Sequence, residues 1–216
     1  MSKDLVTLPK GTPPTPYDDD AFDKATKAGD WLPRLQLMTA NSKECKDGNF
    51  PLNTYAVVKD QNLTDVGKEV DVLVIAWRPK AMEIDEQVYA VYDPESVDFK
   101  RIQEESNVKD SGCMYGPEFL VWLPSTKQYA TFFMGSKSSR REAGNVRALL
   151  KNAGTLKSKK IETKKYTWFS PIIEKCTTAF DPPQQDELLE QYTKFINPPE
   201  SEIEKAPETN GSERAR

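Results

Sequence analysis

Histidine is absent from this chain. Its absence removes Ser-His-Asp and Cys-His nucleophile pairs. It also removes the commonest zinc ligand, and no CxxC pair takes its place. Neither GxxxxGK[ST] nor GxGxxG occurs, so the two common glycine-rich phosphate loops are missing. Carboxylate chemistry on bound Mg²⁺ survives these exclusions, yet no tight acidic cluster lies inside an apolar segment. The residue set therefore points away from an enzyme, and neither a cofactor nor a metal is expected. Cysteine is scarce: Cys45, Cys113 and Cys176 are far apart and odd in number, which implies reduced thiols rather than a disulfide framework. No run of about 18 apolar residues exists to cross a membrane. The opening "MSKDLVTLPKGTPP" has no apolar signal core, so a cytoplasmic location is expected.

What is present is a folded centre diluted by polar segments. Of 216 residues 37% are apolar, 30% are charged and 16 are proline. Residues 1–30, with "GTPPTPYDDD", read as a flexible N-terminal arm. Residues 31–180 read as one β-rich domain. Residues 181–216 read as an acidic C-terminal tail, with a short helix at 184–196 that carries Leu188, Leu189, Tyr192, Phe195 and Ile196 at helical spacing.

Within the domain, "YAVVK", "VLVIAWR", "QVYAVY", "EFLVWLP" and "QYATFFM" predict short strands. The run containing "VLVIAWR" is expected to end at Pro79. "VDFKRIQEES" predicts a short helix. "SSRREAGNVRALLKNAG" changes the period: Ala143, Val146, Leu149, Leu150 and Ala153 form one helical face, Ser139 and Glu142 have capping-box spacing, and Gly154 is placed as a stop. "LKSKKIETKKYTWFSPIIEKC" follows as one or two strands. Three strands, a helix and further strands predict a mainly β fold, an OB-like barrel with one internal helix and additional strands. A half-open α+β sheet is the alternative.

From Ser136 to Trp168 there are ten basic residues against two acidic, a net of +8, which leaves −12 for the rest of a chain whose total is −4. Arg140, Arg147 and Lys151 share one helical face with Gly144 between them. The loop "GSKSS", with Lys137 and Arg141, leads into a helix N-terminus whose amides suit a phosphate. On an extended chain, Lys160, Lys164, Tyr166 and Trp168 fall on one face, with Lys159 and Lys165 beside them. Lysines that follow phosphates beside rings that stack on bases form a surface for single-stranded nucleic acid. A lysine-rich strand is also the mark of an edge protected against aggregation. Arg78 and Lys80 are expected just past a strand end, facing solvent. Tyr115, in a Gly-flanked loop, is a further candidate platform. Trp77 shares a face with Leu73 and Ile75 and is expected in the core.

The stretch "FFMGSKSSRREAGNVRALLKN", followed by "KKYTWFSPIIE", resembles the later half of OB-fold single-stranded DNA-binding proteins of phages, over roughly Glu118 to Cys176. The resemblance implies sequence-tolerant binding of single-stranded DNA (RNA left open) during phage replication or recombination, in the host cytoplasm and with no cofactor. From Asp181 onward nine acidic residues stand against four basic. Such tails compete for a basic groove and recruit replication or recombination proteins, although this one ends "NGSERAR", not in an acidic tip with a terminal aromatic. Two other classes remain open: a virion or host-interaction protein with no nucleic-acid role, and a metal-dependent nucleic-acid enzyme.

Overall fold

A computed structural model describes residues 32–197, apart from 41, 60, 61, 86, 87, 93, 109, 110, 164 and 165. The expected N-terminal arm and the end of the acidic tail lie outside the described residues. Nine strands form one mixed sheet: β1 (Arg34–Met38), β2 (Thr54–Lys59), β3 (Asn62–Gly67), β4 (Val70–Asp85), β5 (Val88–Tyr92), β6 (Cys113–Leu123), β7 (Gln128–Phe133), β8 (Ala153–Glu162) and β9 (Thr167–Lys175). Among the described residues four helices accompany them: α1 (Lys43–Lys46), α2 (Val97–Glu105), α3 (Lys137–Ala148) and α4 (Gln185–Ile196). No helix among the described residues is long and apolar enough to cross a membrane. The architecture is mainly β.

The strand order is β3-β2-β1-β7-β6-β4-β8-β9, with β5 pairing β4 off this path. Strands β4, β6 and β7 follow one another antiparallel, and β8 returns beside β4, a Greek-key arrangement. β1 lies parallel to β7 on its other edge. The sheet curls into a half-barrel. The Tyr55 hydroxyl donates to the Lys157 carbonyl at 2.8 Å, although four strands lie between β2 and β8. In a flat sheet those strands would stand roughly 24 Å apart. Inside the curl, residues from β1, β2, β4, β6, β7, β8 and β9 meet Ala143 and Val146 of α3 in one buried cluster. The outer face buries Leu73, Ile75, Leu120, Trp122 and Tyr129 beneath Leu188 and Phe195 of α4. Each such large apolar side chain contributes roughly 1.5–3 kcal/mol.

β4 departs from expectation in two ways. It does not stop at Pro79 but continues to Asp85. Pro79 stands opposite Pro117, so neither ring is asked for an N–H across that pair. On the other edge of β4, the β8 ladder ends at Leu73 and the β5 ladder begins at Ala81, so Pro79 falls in the gap. The second departure is a register shift between Val74 and Ala76. It breaks the alternation, so Trp77 does not share the face of Leu73 and Ile75. Trp77 turns to the inner face and packs, half-buried, on the interior cluster.

The helix after β7 is shorter than its pattern. Ser136, not Ser139, is the N-cap, and its hydroxyl accepts from the Ser139 amide at 3.2 Å. Glu142 takes no part in the cap; it accepts from Asn145 at 2.9 Å. The left-handed residue after the helix is Lys151 (φ 64°), not Gly154. The Lys151 amide donates to Val74 O at 2.6 Å, and Val74 N donates to Asn152 O at 3.1 Å, so the chain joins β4 at once. Gly154 is already in β8, where a Cβ would meet Ile173 Cδ1 at 2.6 Å and Leu149 Cδ1 at 2.9 Å. A side chain there would oblige Ile173 and Leu149 to shift.

Candidate nucleic-acid interface

The helix α3 is the centre of the basic segment. Ser139, Ala143 and Val146 turn inward, so the remaining faces carry the charge outward. The cap occupies the Ser139 amide, and Arg140 N donates to Ser136 O at 2.9 Å, so these two amides are engaged within the helix. The arginines divide by role. Arg140 reaches the end of α2, donating to Ser106 Oγ (2.9 Å), Ser106 O (3.4 Å) and Asn107 Oδ1 (3.1 Å). It is a structural tie, contrary to its expected place in the binding face. Arg147 lies over Trp77, its Cζ 4.5 Å from the ring centroid. Lys137, Arg141 and Lys151 are exposed, and so is Gly144, where an added Cβ would meet no neighbour within 4 Å. Among the described residues, Lys137, Arg141, Arg147, Lys151 and Lys159 have no carboxylate partner.

The second element is the β8–β9 hairpin. The β8 ladder with β4 ends at Leu156, while that with β9 continues to Glu162. The hairpin therefore extends as a two-stranded arm, with Lys159, Lys160, Glu162, Tyr166, Thr167 and Trp168 exposed. Lys160 and Trp168 do not share the expected face, because the chain reverses between them. Tyr166 N donates to Thr163 Oγ1 at 3.0 Å, and Tyr166 O accepts from Thr163 N at 2.8 Å. A period-two reading assumes a straight strand, and this turn invalidates it. Trp168 stands opposite Ile161, on the face that also carries Lys159, while Lys160 stands opposite Phe169 on the other face. Tyr166 is 70% and Trp168 37% exposed. Lys164 and Lys165 lie outside the described residues.

Not every lysine here is available. Lys157 bridges Glu174 at 2.9 Å and Glu69 at 3.8 Å. Its hydrogen bond to Glu174 and the two nearby carboxylates raise its pKa. Lys160 pairs with Glu162.

Three candidates belong to the scaffold. Arg78 and Lys80 lie inside β4 and clamp Glu118, Arg78 Nη2 and Lys80 Nζ each at 2.7 Å. The side chains are 17%, 11% and 1% exposed, respectively. Burial by itself would raise the Glu118 carboxyl, but the charges and hydrogen bonds of Arg78 and Lys80 outweigh it and hold the pKa below the usual range. Arg78 also donates to Phe195 O at 2.5 Å and stacks 4.7 Å from the Phe195 ring, which fixes α4 to the sheet. These two cations face solvent only if a strand ends at Pro79, and it does not. Tyr115 is in β6, not in a loop. It packs edge-to-face on Phe99 at 5.7 Å, so it is not a free platform.

Glu83, Glu105 and Cys113 bring their ligand atoms within 4.8 Å of one another. Arg101 already bridges Glu83 and Glu105, each at 3.2 Å. Burial, a hydrogen bond to Glu105 and the adjacent carboxylates push the Cys113 thiol up to about 11, so it serves as a protonated donor. The trio reads as a clip joining α2 to the sheet. The contact of Trp77 with the basic helix was not legible in the sequence. The bulge that re-aims Trp77 leaves no mark in residue type, and its partner Arg147 is remote in the chain. Compared with protein-family models, curated proteins and solved structures, the chain matches none.

Proposed function

We propose that the protein binds single-stranded DNA with little base preference, as an OB-type barrel serving phage replication or recombination, and without a cofactor. The observation that carries this reading is the set of exposed cations that have no carboxylate partner among the described residues, Lys137, Arg141, Arg147, Lys151 and Lys159, together with exposed Tyr166 and Trp168, in a chain of net charge −4. Unpaired cations release counterions from a phosphate backbone. Exposed rings accept any base, since every base has a π face.

The connectivity supports the OB part. Strands β4, β6 and β7, helix α3, then β8 and β9 follow the OB order, with β4 pairing both β6 and β8. The departure lies at the closure: β1, not β9, pairs with the outer edge of β7. The extra strands β1, β2 and β3 thus widen a barrel that five strands alone would close.

The test is a salt-titrated binding assay with single-stranded and duplex oligonucleotides. Preferential single-strand binding is expected, with log K falling against log salt by about 0.7 per phosphate neutralised. Equal affinity for duplex sinks the stacking part. Absence of binding at low salt sinks the reading and favours a protein-interaction role. Mg²⁺-dependent degradation of the strand would make the protein an enzyme.

A further inference from the structure

Arg147 and Trp77 meet apart from the hairpin arm. Trp77 is half-buried on the interior cluster, so its ring is held from behind. Arg147 lies on that ring at 4.5 Å and is itself exposed, with no carboxylate partner among the described residues. A planar guanidinium held against a ring has a second face on which another flat group can stack. Nearby, Lys151 is exposed at a fixed place, because its amide is bonded to Val74 O, three residues before Trp77 in β4. A flat cation backed by an aromatic ring, with a second cation tethered to the same strand, fits a nucleotide: base on the guanidinium, phosphate toward Lys151.

We infer that Trp77 and Arg147 form a nucleobase-stacking platform, with Lys151 as the phosphate partner. This rests on the single-strand reading above and assigns a ligand to residues outside the arm. A purely structural cation–π pair would present the same geometry but would not respond to a base. The platform also requires more of Arg147 than charge, since a lysine at this position keeps the cation and loses the plane.

The experiment compares the protein with Arg147→Lys on two probes of equal length, an oligo(dT) strand and a fully abasic strand. For Arg147→Lys the expected result is a loss of about tenfold on oligo(dT), the worth of one stacked base, with unchanged affinity for the abasic strand. The salt slope should stay the same, because the charge is kept. Unchanged affinity on both probes overturns the platform and leaves the single-strand reading standing. Equal losses on both also overturn it and make Arg147 a phosphate contact. If the parent protein binds neither probe, the single-strand reading falls and the platform with it. Trp77→Phe is the companion variant, and thermal unfolding of both variants excludes a folding defect. Trp77→Phe should weaken oligo(dT) binding alone, and a normal oligo(dT) affinity in that variant contradicts the ring's role.

Discussion

The Tyr55 hydroxyl donates to the carbonyl oxygen of Lys157 at 2.8 Å and so ties the two limbs of a curled sheet. Tyr55 is fully buried, and burial raises the pKa of its phenol, so it remains a donor throughout the neutral range. Tyr55→Phe removes the bond and leaves the carbonyl without it. A loss of about 1–2 kcal/mol is expected, read as a lower denaturant midpoint with an unchanged slope. Faster amide exchange in β8 should accompany it. If the midpoint does not move, the curl is held by the interior cluster alone.

The clamp on Glu118 predicts a pH-dependent stability. The folded carboxyl is held below its unfolded range, which lies near 4.3. Its contribution is therefore complete above that range and disappears as pH falls through the folded value. Glu118→Gln takes the shared carboxylate away from Arg78 and Lys80 inside the sheet, and near neutral pH it should cost about 3–5 kcal/mol. The gap between parent and variant should narrow in acid. A gap of constant size from neutral to acidic pH would show that packing, not charge, is what the substitution disturbs.

Arg140 and Arg141 are neighbours in sequence with opposite expected phenotypes. Arg140→Ala removes the tie to Ser106 and Asn107 and should cost about 1 kcal/mol of stability, with little change in strand binding. Arg141→Ala touches no described partner and should leave stability within about 0.5 kcal/mol. It should weaken binding and flatten the salt slope by about 0.7. Parallel melting curves and salt titrations decide the matter, and a reversed pattern would misplace the interface.

Tyr166 and Trp168 are exposed at the end of the arm. Tyr166→Ala and Trp168→Ala should each cost about 1–3 kcal/mol in single-strand affinity with little effect on folding. A Trp168 variant that binds normally but is markedly less stable would return that ring to the scaffold.

Gly154 offers a test of packing independent of function. A methyl group there meets Ile173 and Leu149, so Gly154→Ala should destabilise by about 1–3 kcal/mol. An unaffected melting temperature would mean that these side chains rotate away freely.

Local pattern carried much of the architecture. The β-branched and aromatic runs mark the strands, the 3.6-residue period marks α3, and the Leu188–Phe195 spacing marks α4. The charge asymmetry around α3 was also legible, since it is a count along the chain. What only the tertiary structure decided is where those charges point. Arg78 and Lys80 became internal because Glu118 of β6 stands beside them, a pairing between segments remote in sequence. Arg140 was drawn to α2 and Arg147 to Trp77 by partners equally remote. One shifted register in β4 and one turn at Thr163–Tyr166 moved Trp77, Tyr166 and Trp168 to new faces. A strand's period of two specifies alternation but not the point at which it is interrupted, and a single interruption inverts every face beyond it.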